Sequence, residues 1–248
     1  MRYFIRFSYH GKNFHGWQIQ PNAVSVQQSL NDAFTLITGE ETYLVGAGRT
    51  DTGVHAREMW AHFDHPATLG NDLVHKLNSY IGPDIALYEL YRVKDEAHAR
   101  FDALERTYQY QISISKNPFL QDQAWQLHRK PDLYLMEQGA RQLLNYRDFT
   151  SFSRSNTQTK TNICQLKEAR WQQRGDLLVL TITADRFLRN MVRAIVGTLL
   201  EIGLHKRELV DLNKIIEAKD RRLAGESAPA HGLFLSAVKY PKDLFYGQ

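Results

Sequence analysis

Three observations predict an α+β fold built as two similar halves. Apolar residues alternate with polar ones at period two in short stretches along the chain, which is the signature of half-buried strands. Longer stretches between them carry apolar residues three and four positions apart, as amphipathic helices do. Both kinds of segment occur in the same order twice, β-α-β-β-α-β, although the sequence itself does not repeat. That order is the ferredoxin-like one. The halves are expected at 1–100 and 101–248, with the change of pattern near 96–106. Two such units can join their sheets edge to edge and leave a cleft across the junction, and this is the expected architecture.

In the first half, Tyr3, Ile5, Phe7 and Tyr9 alternate with Phe4, Arg6 and Ser8 in the opening strand. Ser25-Val26-Gln27-Gln28 resembles a capping box and starts a helix with Val26, Leu30, Ala33, Phe34 and Ile37 on one face, ended by Gly39. Residues 42–45 and 59–63 read as strands. The stretch 71–80 reads as a helix stopped by Gly82-Pro83, and 85–93 as a strand. The second half opens with the most regular alternation in the chain, Tyr108, Tyr110, Ile112 and Ile114. Asp132 caps a helix carrying Leu135, Met136, Ala140, Leu143 and Leu144. Residues 163–171 and 177–183 form a hairpin around Arg174-Gly175-Asp176. Helices follow over 187–202 and 208–218, the first with Arg186, Arg189 and Arg193 on one stripe. A strand over 233–238 closes the second half.

The 248 residues suit one large domain or two modest ones, and the 43% hydrophobic and 23% charged fractions are those of a globular protein. One cysteine, Cys164, excludes an intrachain disulfide and a cysteine-rich zinc site, and fits a reducing, cytoplasmic setting. No apolar run approaches the roughly 20 residues of a membrane span. The amino terminus interrupts its apolar residues with charge, unlike a signal peptide. The formal net charge of +4 points to a polyanionic partner only where the cations cluster, as they do between Arg186 and Arg193.

The most informative segment is Gly48-Arg49-Thr50-Asp51-Thr52-Gly53-Val54-His55-Ala56. Three roles suit it. Asp51 can form an Asx-type turn. The glycines have phosphate-loop spacing, but Val54-His55 stands where Lys-Ser/Thr is required, and a strand rather than a helix follows, so a phosphate cradle is rejected. Asp51 can also be a catalytic carboxylate, kept ionised by Arg49 or by an arginine brought close in space. His55, His62 and His65 lack the spacing of a metal site.

This segment resembles the signature of the tRNA pseudouridine synthase A family, with Thr52 where the family usually has alanine. The resemblance extends along nearly the whole chain. It takes in Phe14-His15-Gly16-Trp17-Gln18, His98-Ala99-Arg100-Phe101, Arg106-Thr107-Tyr108-Gln109-Tyr110, Asp148-Phe149-Thr150-Ser151-Phe152, the run Phe187–Gly197 written as FLRNMVRAIVG, and His231-Gly232-Leu233-Phe234-Leu235. Ala194 replaces an asparagine common in the family.

The resemblance implies an isomerase that breaks the N-glycosidic bond of a uridine, turns the base and rejoins it through C5, with neither cofactor nor metal. Asp51 would be the catalytic carboxylate, Arg193 the cation paired with it, and Tyr108 the ring stacked on the target uracil. Arg49 would hold the flipped nucleotide, and Arg100, Arg106, His98, Arg186 and Arg189 would contribute to RNA binding. The implied substrate is the anticodon stem-loop of tRNA, about positions 38–40, bound by a homodimer. Two other classes stay open. A non-catalytic RNA-binding module would want an aromatic RNP1 pattern, which is absent. A glycoside-cleaving hydrolase would want a second placed carboxylate, for which Asp102 and Glu105 are the nearest candidates.

Overall fold

The computed structural model describes residues 1–70, 72–154 and 161–246. Its chain divides into two compact units, one of Met1–Leu104 with Phe234–Gln248, the other of Glu105–Leu233. Among the described residues there are nine strands and five α-helices, a mixed α+β content.

The first unit begins with β1 (Arg2–Tyr9), α1 (Val26–Thr38), β2 (Val45–Gly46), β3 (His55–Asp64), α2 (Asp72–Tyr80) and β4 (Ile85–Arg92). β1 lies between β4 and β3 and is antiparallel to both, with Tyr3 opposite Phe63 and Phe7 opposite Met59. Phe4 on one face of β1 and Ile5 and Phe7 on the other are fully buried, and Phe34 of α1 meets Phe63 edge-on at 4.8 Å. Ser25 caps α1 by accepting the Gln28 N–H, and Gly39 ends it in the left-handed conformation at φ +75°.

The second unit holds β5 (Glu105–Ser113), β6 (Trp125–Gln126), α3 (Leu133–Leu143), β7 (Leu166–Arg174), β8 (Leu177–Ala184), α4 (Met191–Gly203) and α5 (Leu209–Ala218). β8 runs antiparallel to both β5 and β7, with Tyr108 opposite Ile182. Asp132 caps α3 through the Leu135 N–H, and Gly175 makes the β7–β8 turn at φ +59°. α3 and α4 pack closely: a Cβ on Gly139 would stand 2.6 Å from the Leu199 side chain.

The last of these strands is β9 (Leu233–Lys239), where a closing strand was expected over 233–238. It pairs in parallel with β3 of the first unit, Phe234 opposite His55 and Leu235 opposite Ala56. β2 takes the other end of the same β3 edge, opposite His62 and Ala61. Between these two partners the Glu58 carboxylate accepts from the Val238 N–H at 3.0 Å and the Trp60 indole N–H at 3.1 Å.

Two expectations change. β3 starts at His55, not Met59, because pairing with β1 and β9 extends it back through the polar Arg57 and Glu58. The helix expected from Phe187 starts at Met191, because Asn190 adopts the left-handed conformation at φ +66° and breaks the preceding turn. Only Arg193 of the three-arginine stripe is therefore helical.

Candidate active site

Asp51 sits in the tight connection between β2 and β3. The Val54 N–H donates to the Asp51 carbonyl at 3.1 Å, and Gly53 takes φ +78°, closing a turn that leaves Asp51 half-buried and Arg49 exposed. A second segment, residues 11–17, holds this turn from below. The Trp17 N–H donates to the Thr50 carbonyl and the Gly53 N–H to the Phe14 carbonyl, each at 3.3 Å, so both shoulders of Asp51 are tied. Gly16, at φ +86°, passes so close that a Cβ there would lie 2.3 Å from the Thr50 oxygen. The Tyr9 hydroxyl, buried at the end of β1, pairs with the Thr50 hydroxyl at 2.8 Å.

In the second unit, one end of β5 and β8 gathers several of the other predicted residues. Arg106 pairs with Ala184 across the ladder, and its guanidinium donates to the Asp185 carbonyl at 2.9 Å. The half-buried Tyr108 ring meets Phe187 edge-on at 5.1 Å. Arg186 and Arg189 lie in the connection before α4, Arg189 exposed and Arg186 half-buried.

Arg193, in the first turn of α4, is held by a strap over residues 224–229. Its Nε donates to the Ala228 carbonyl at 2.6 Å, and the Ala228 N–H donates back to the Arg193 carbonyl at 3.0 Å. The Gly225 N–H donates to the buried Thr198 hydroxyl at 2.9 Å, and Asn190 Nδ2 to the Ser227 hydroxyl at 2.5 Å. Gly197 makes this possible, since a Cβ there would lie 1.7 Å from the Glu226 carbonyl oxygen. Beside the strap, Tyr110 is wholly buried and donates its hydroxyl to the Pro229 carbonyl at 2.8 Å. Burial raises its pKa, and the Arg193 charge acts weakly in the opposite direction.

A family model described as tRNA pseudouridine synthase matches residues 140–241, a span that includes Arg193 and its strap. A protein of Parabacteroides distasonis named tRNA pseudouridine synthase A is 50% identical over 246 residues, 98% of either chain. The chain belongs to the tRNA pseudouridine synthase A family. It is accordingly an enzyme, of the pseudouridine synthase class of isomerases. Proteins of the same name from Bacteroides fragilis and Limosilactobacillus reuteri are 50% identical over 247 residues and 39% identical over 248. The former covers 98% of both chains and the latter 96% of both, so these family relatives span the Asp51 turn as well as the strap.

Two of the residues that the family resemblance selected stand elsewhere in the first unit. His98 and Arg100 lie beside His62, whose Nδ1 accepts the Ala99 N–H at 3.1 Å. His62 is seven residues along β3 from His55, roughly 23 Å at strand rise, so this pair is remote from the Asp51 turn within the unit. His98 braces its own turn: its N–H donates to the Asp102 carboxylate at 2.7 Å, and its Nδ1 accepts the Arg100 N–H at 3.1 Å. Arg100 is exposed above the Phe101 ring.

The three histidines weighed for metal binding each serve the backbone, His55 toward Gly11, His62 toward Ala99 and His65 toward Ala67. Trp17, part of the Phe14–Gln18 motif, is a core residue, buried and stacked on Phe7 at 5.6 Å. Sequence reasoning missed Tyr9, Gly11 and the 224–229 strap. Of these, only the strap has a signal in the sequence, Gly197, whose place inside a helix is unfavourable by about 1 kcal/mol against alanine and so points to a close neighbour.

Proposed function

We propose that this enzyme converts uridine to pseudouridine in the anticodon stem-loop of tRNA, about positions 38–40, with Asp51 as the catalytic carboxylate. The supporting observation is the Asp51 turn. A half-buried carboxylate follows an exposed arginine on a backbone fixed on both shoulders, which pre-organises one acidic group for attack. The reaction is an isomerisation. The C1′–N1 bond breaks, the uracil rotates, a C1′–C5 bond forms, the C5 proton leaves and N1 takes up a proton, so that product and substrate have the same composition. Redox chemistry and group donation are not involved, so the chain's own residues suffice without cofactor or metal.

Asp51 attacks the target nucleotide. Arg193, whose Nε is oriented by the Ala228 carbonyl, supplies the cation that keeps that carboxylate ionised and aligned. Tyr108, with its ring set by Phe187, stacks on the uracil. Arg49 occupies the space left by the flipped nucleotide or holds its phosphate. Arg106, Arg186 and Arg189 contact the RNA backbone, with His98 and Arg100 forming a further contact. The family resemblance supports the same reading of the architecture, in which the halves 1–100 and 101–248 are each ferredoxin-like and join edge to edge around the catalytic cleft, and of the enzyme as a cytoplasmic homodimer. No helix among the described residues is long and apolar enough to cross a membrane.

The test is an assay on unmodified tRNA transcript with the wild type and Asp51→Ala, locating pseudouridine by carbodiimide labelling and reverse-transcription stops. Stops in the anticodon stem-loop with the wild type alone are expected, with tRNA affinity of the variant within about tenfold, because one carboxylate adds little to phosphate binding. Wild-type-like activity in Asp51→Ala would remove Asp51 from its role. Free uracil among the products would indicate a hydrolase, and binding without modification an RNA-binding module.

A further inference from the structure

The Asp51 turn is anchored by a residue within its own signature. His55, four positions after Asp51, is almost completely buried at 1% exposure, and its Nδ1 accepts the Gly11 N–H at 2.9 Å. An imidazole accepting at Nδ1 carries its proton on Nε2 and is neutral. Its ring plane is set by stacking on Phe234 at 4.6 Å and 21°, and by the His10 ring at 4.4 Å. Gly11 in turn lies directly against the end of the turn, where a Cβ would fall 2.1 Å from the Val54 oxygen. From that fixed start the chain runs to Phe14 and Trp17, which tie Gly53 and Thr50. Those two bonds are long, so the position of the turn depends on where the 11–17 segment begins.

We infer that His55 is a positioning residue for catalysis, setting the Asp51 carboxylate through the Gly11 N–H and the 11–17 segment. The inference rests on the reading of Asp51 as the catalytic carboxylate. Its geometric content, that the His55 acceptor fixes the turn, can be measured without activity.

Two amide substitutions separate this role from simple core packing. In His55→Asn the side-chain oxygen falls near the position of Nδ1 and can accept from Gly11. In His55→Gln it reaches toward the position of Nε2 and cannot. Single-turnover pseudouridine formation on unmodified tRNA, tRNA affinity, and amide hydrogen exchange at Trp17 and Gly53 are measured for both and for the wild type. His55→Gln should slow the chemical step about a hundredfold, the scale of an ångström misplacement, with affinity nearly unchanged. Its Trp17 and Gly53 amides should exchange about tenfold faster, as local opening becomes easier. His55→Asn should stay within about threefold of the wild type in all three measurements. Equal behaviour of the two variants, or loss of cooperative melting in both, overturns the proposal and returns His55 to packing. A wild type that forms no pseudouridine while the exchange pattern holds sinks the assigned reaction but leaves the anchoring of the turn by His55 standing.

Discussion

Replacing Gly197 with alanine sets two calculable effects against each other. Gly197 lies in the interior of α4, where exchange for alanine should stabilise the helix by about 1 kcal/mol. Against this, the new Cβ would stand 1.7 Å from the Glu226 oxygen, about half an ordinary contact distance, and that oxygen belongs to the backbone, so it cannot swing aside as a side chain would. The strap has to lift by well over 1 Å. Lifting it breaks or stretches the Arg193 Nε bond to Ala228, the Ala228 N–H bond to Arg193, and the Gly225 N–H bond to Thr198. At about 1 kcal/mol each, the three lost bonds amount to about 3 kcal/mol. The net destabilisation is about 2 kcal/mol, which lowers the melting temperature by about 4–8 °C for a chain of this size. Calorimetry on the purified variant measures this directly, and single-turnover assays on tRNA should show a slower chemical step because Arg193 loses its orienting carbonyl. A melting temperature equal to or above the wild type would refute the reasoning, since helix propensity would then have won and the strap would be free to move at no cost.

Other substitutions test the remaining geometry. Gly16→Ala and Gly39→Ala share a left-handed backbone, which costs an alanine about 1–2 kcal/mol at either site. Only Gly16 faces the Thr50 oxygen, whereas a Cβ on Gly39 meets nothing within 4 Å. Urea titration should therefore rank Gly16→Ala as the more destabilising, and only that variant should lose turnover. Acid stability should reflect His62, whose pKa burial pushes down to about 4, with the nearby His98 and Arg2 acting in the same direction. Between pH about 6.5 and 4 the unfolded chain takes up a proton that the folded one refuses, so stability is complete above 6.5 and falls as the pH drops through this window. The loss is about 1–2 kcal/mol after solvent screening, with His98, also lowered by burial, adding in the same sense. Urea midpoints at several pH values should show this slope for the wild type. His62→Asn, which keeps an acceptor for the Ala99 N–H without titrating, should flatten it, and an equal slope in both would exclude His62 as its source.

Where the physics is local, the sequence carried the structure. Ser25 and Gly39 delimit α1, Asp132 begins α3, and Gly175 turns the β7–β8 hairpin, because each acts on its own neighbours. The elements that shifted are those decided by distant partners. β3 reaches back to His55 because β1 and β9 offer hydrogen bonds there, and neither partner is visible in the polar run Arg57-Glu58. α4 begins late because Asn190 is clipped to Ser227, 37 positions away, and adopts a conformation that no period-counting detects. The same division runs through the site. Asp51 and Arg49 were conspicuous within one short loop, whereas the supports of that loop, Tyr9, Gly11 and residues 14–17, come from some 40 positions earlier. Apart from the Tyr9 hydroxyl, they act through backbone contacts, which leave no side-chain pattern.

The parallel pairing of β9 with β3 bears on the order in which the molecule can be made. His55 finds its partner Phe234 only after the whole intervening stretch has been synthesised. At ordinary translation rates that stretch takes on the order of ten seconds to emerge. The unit formed by Glu105–Leu233 is contiguous and can fold during this interval, while the edge of β3 beside the Asp51 turn still awaits its strand. A nascent chain stalled before Phe234 therefore carries the signature carboxylate next to an unpaired strand edge. Maturation of that region is tied to the synthesis of β9, about 180 residues after His55.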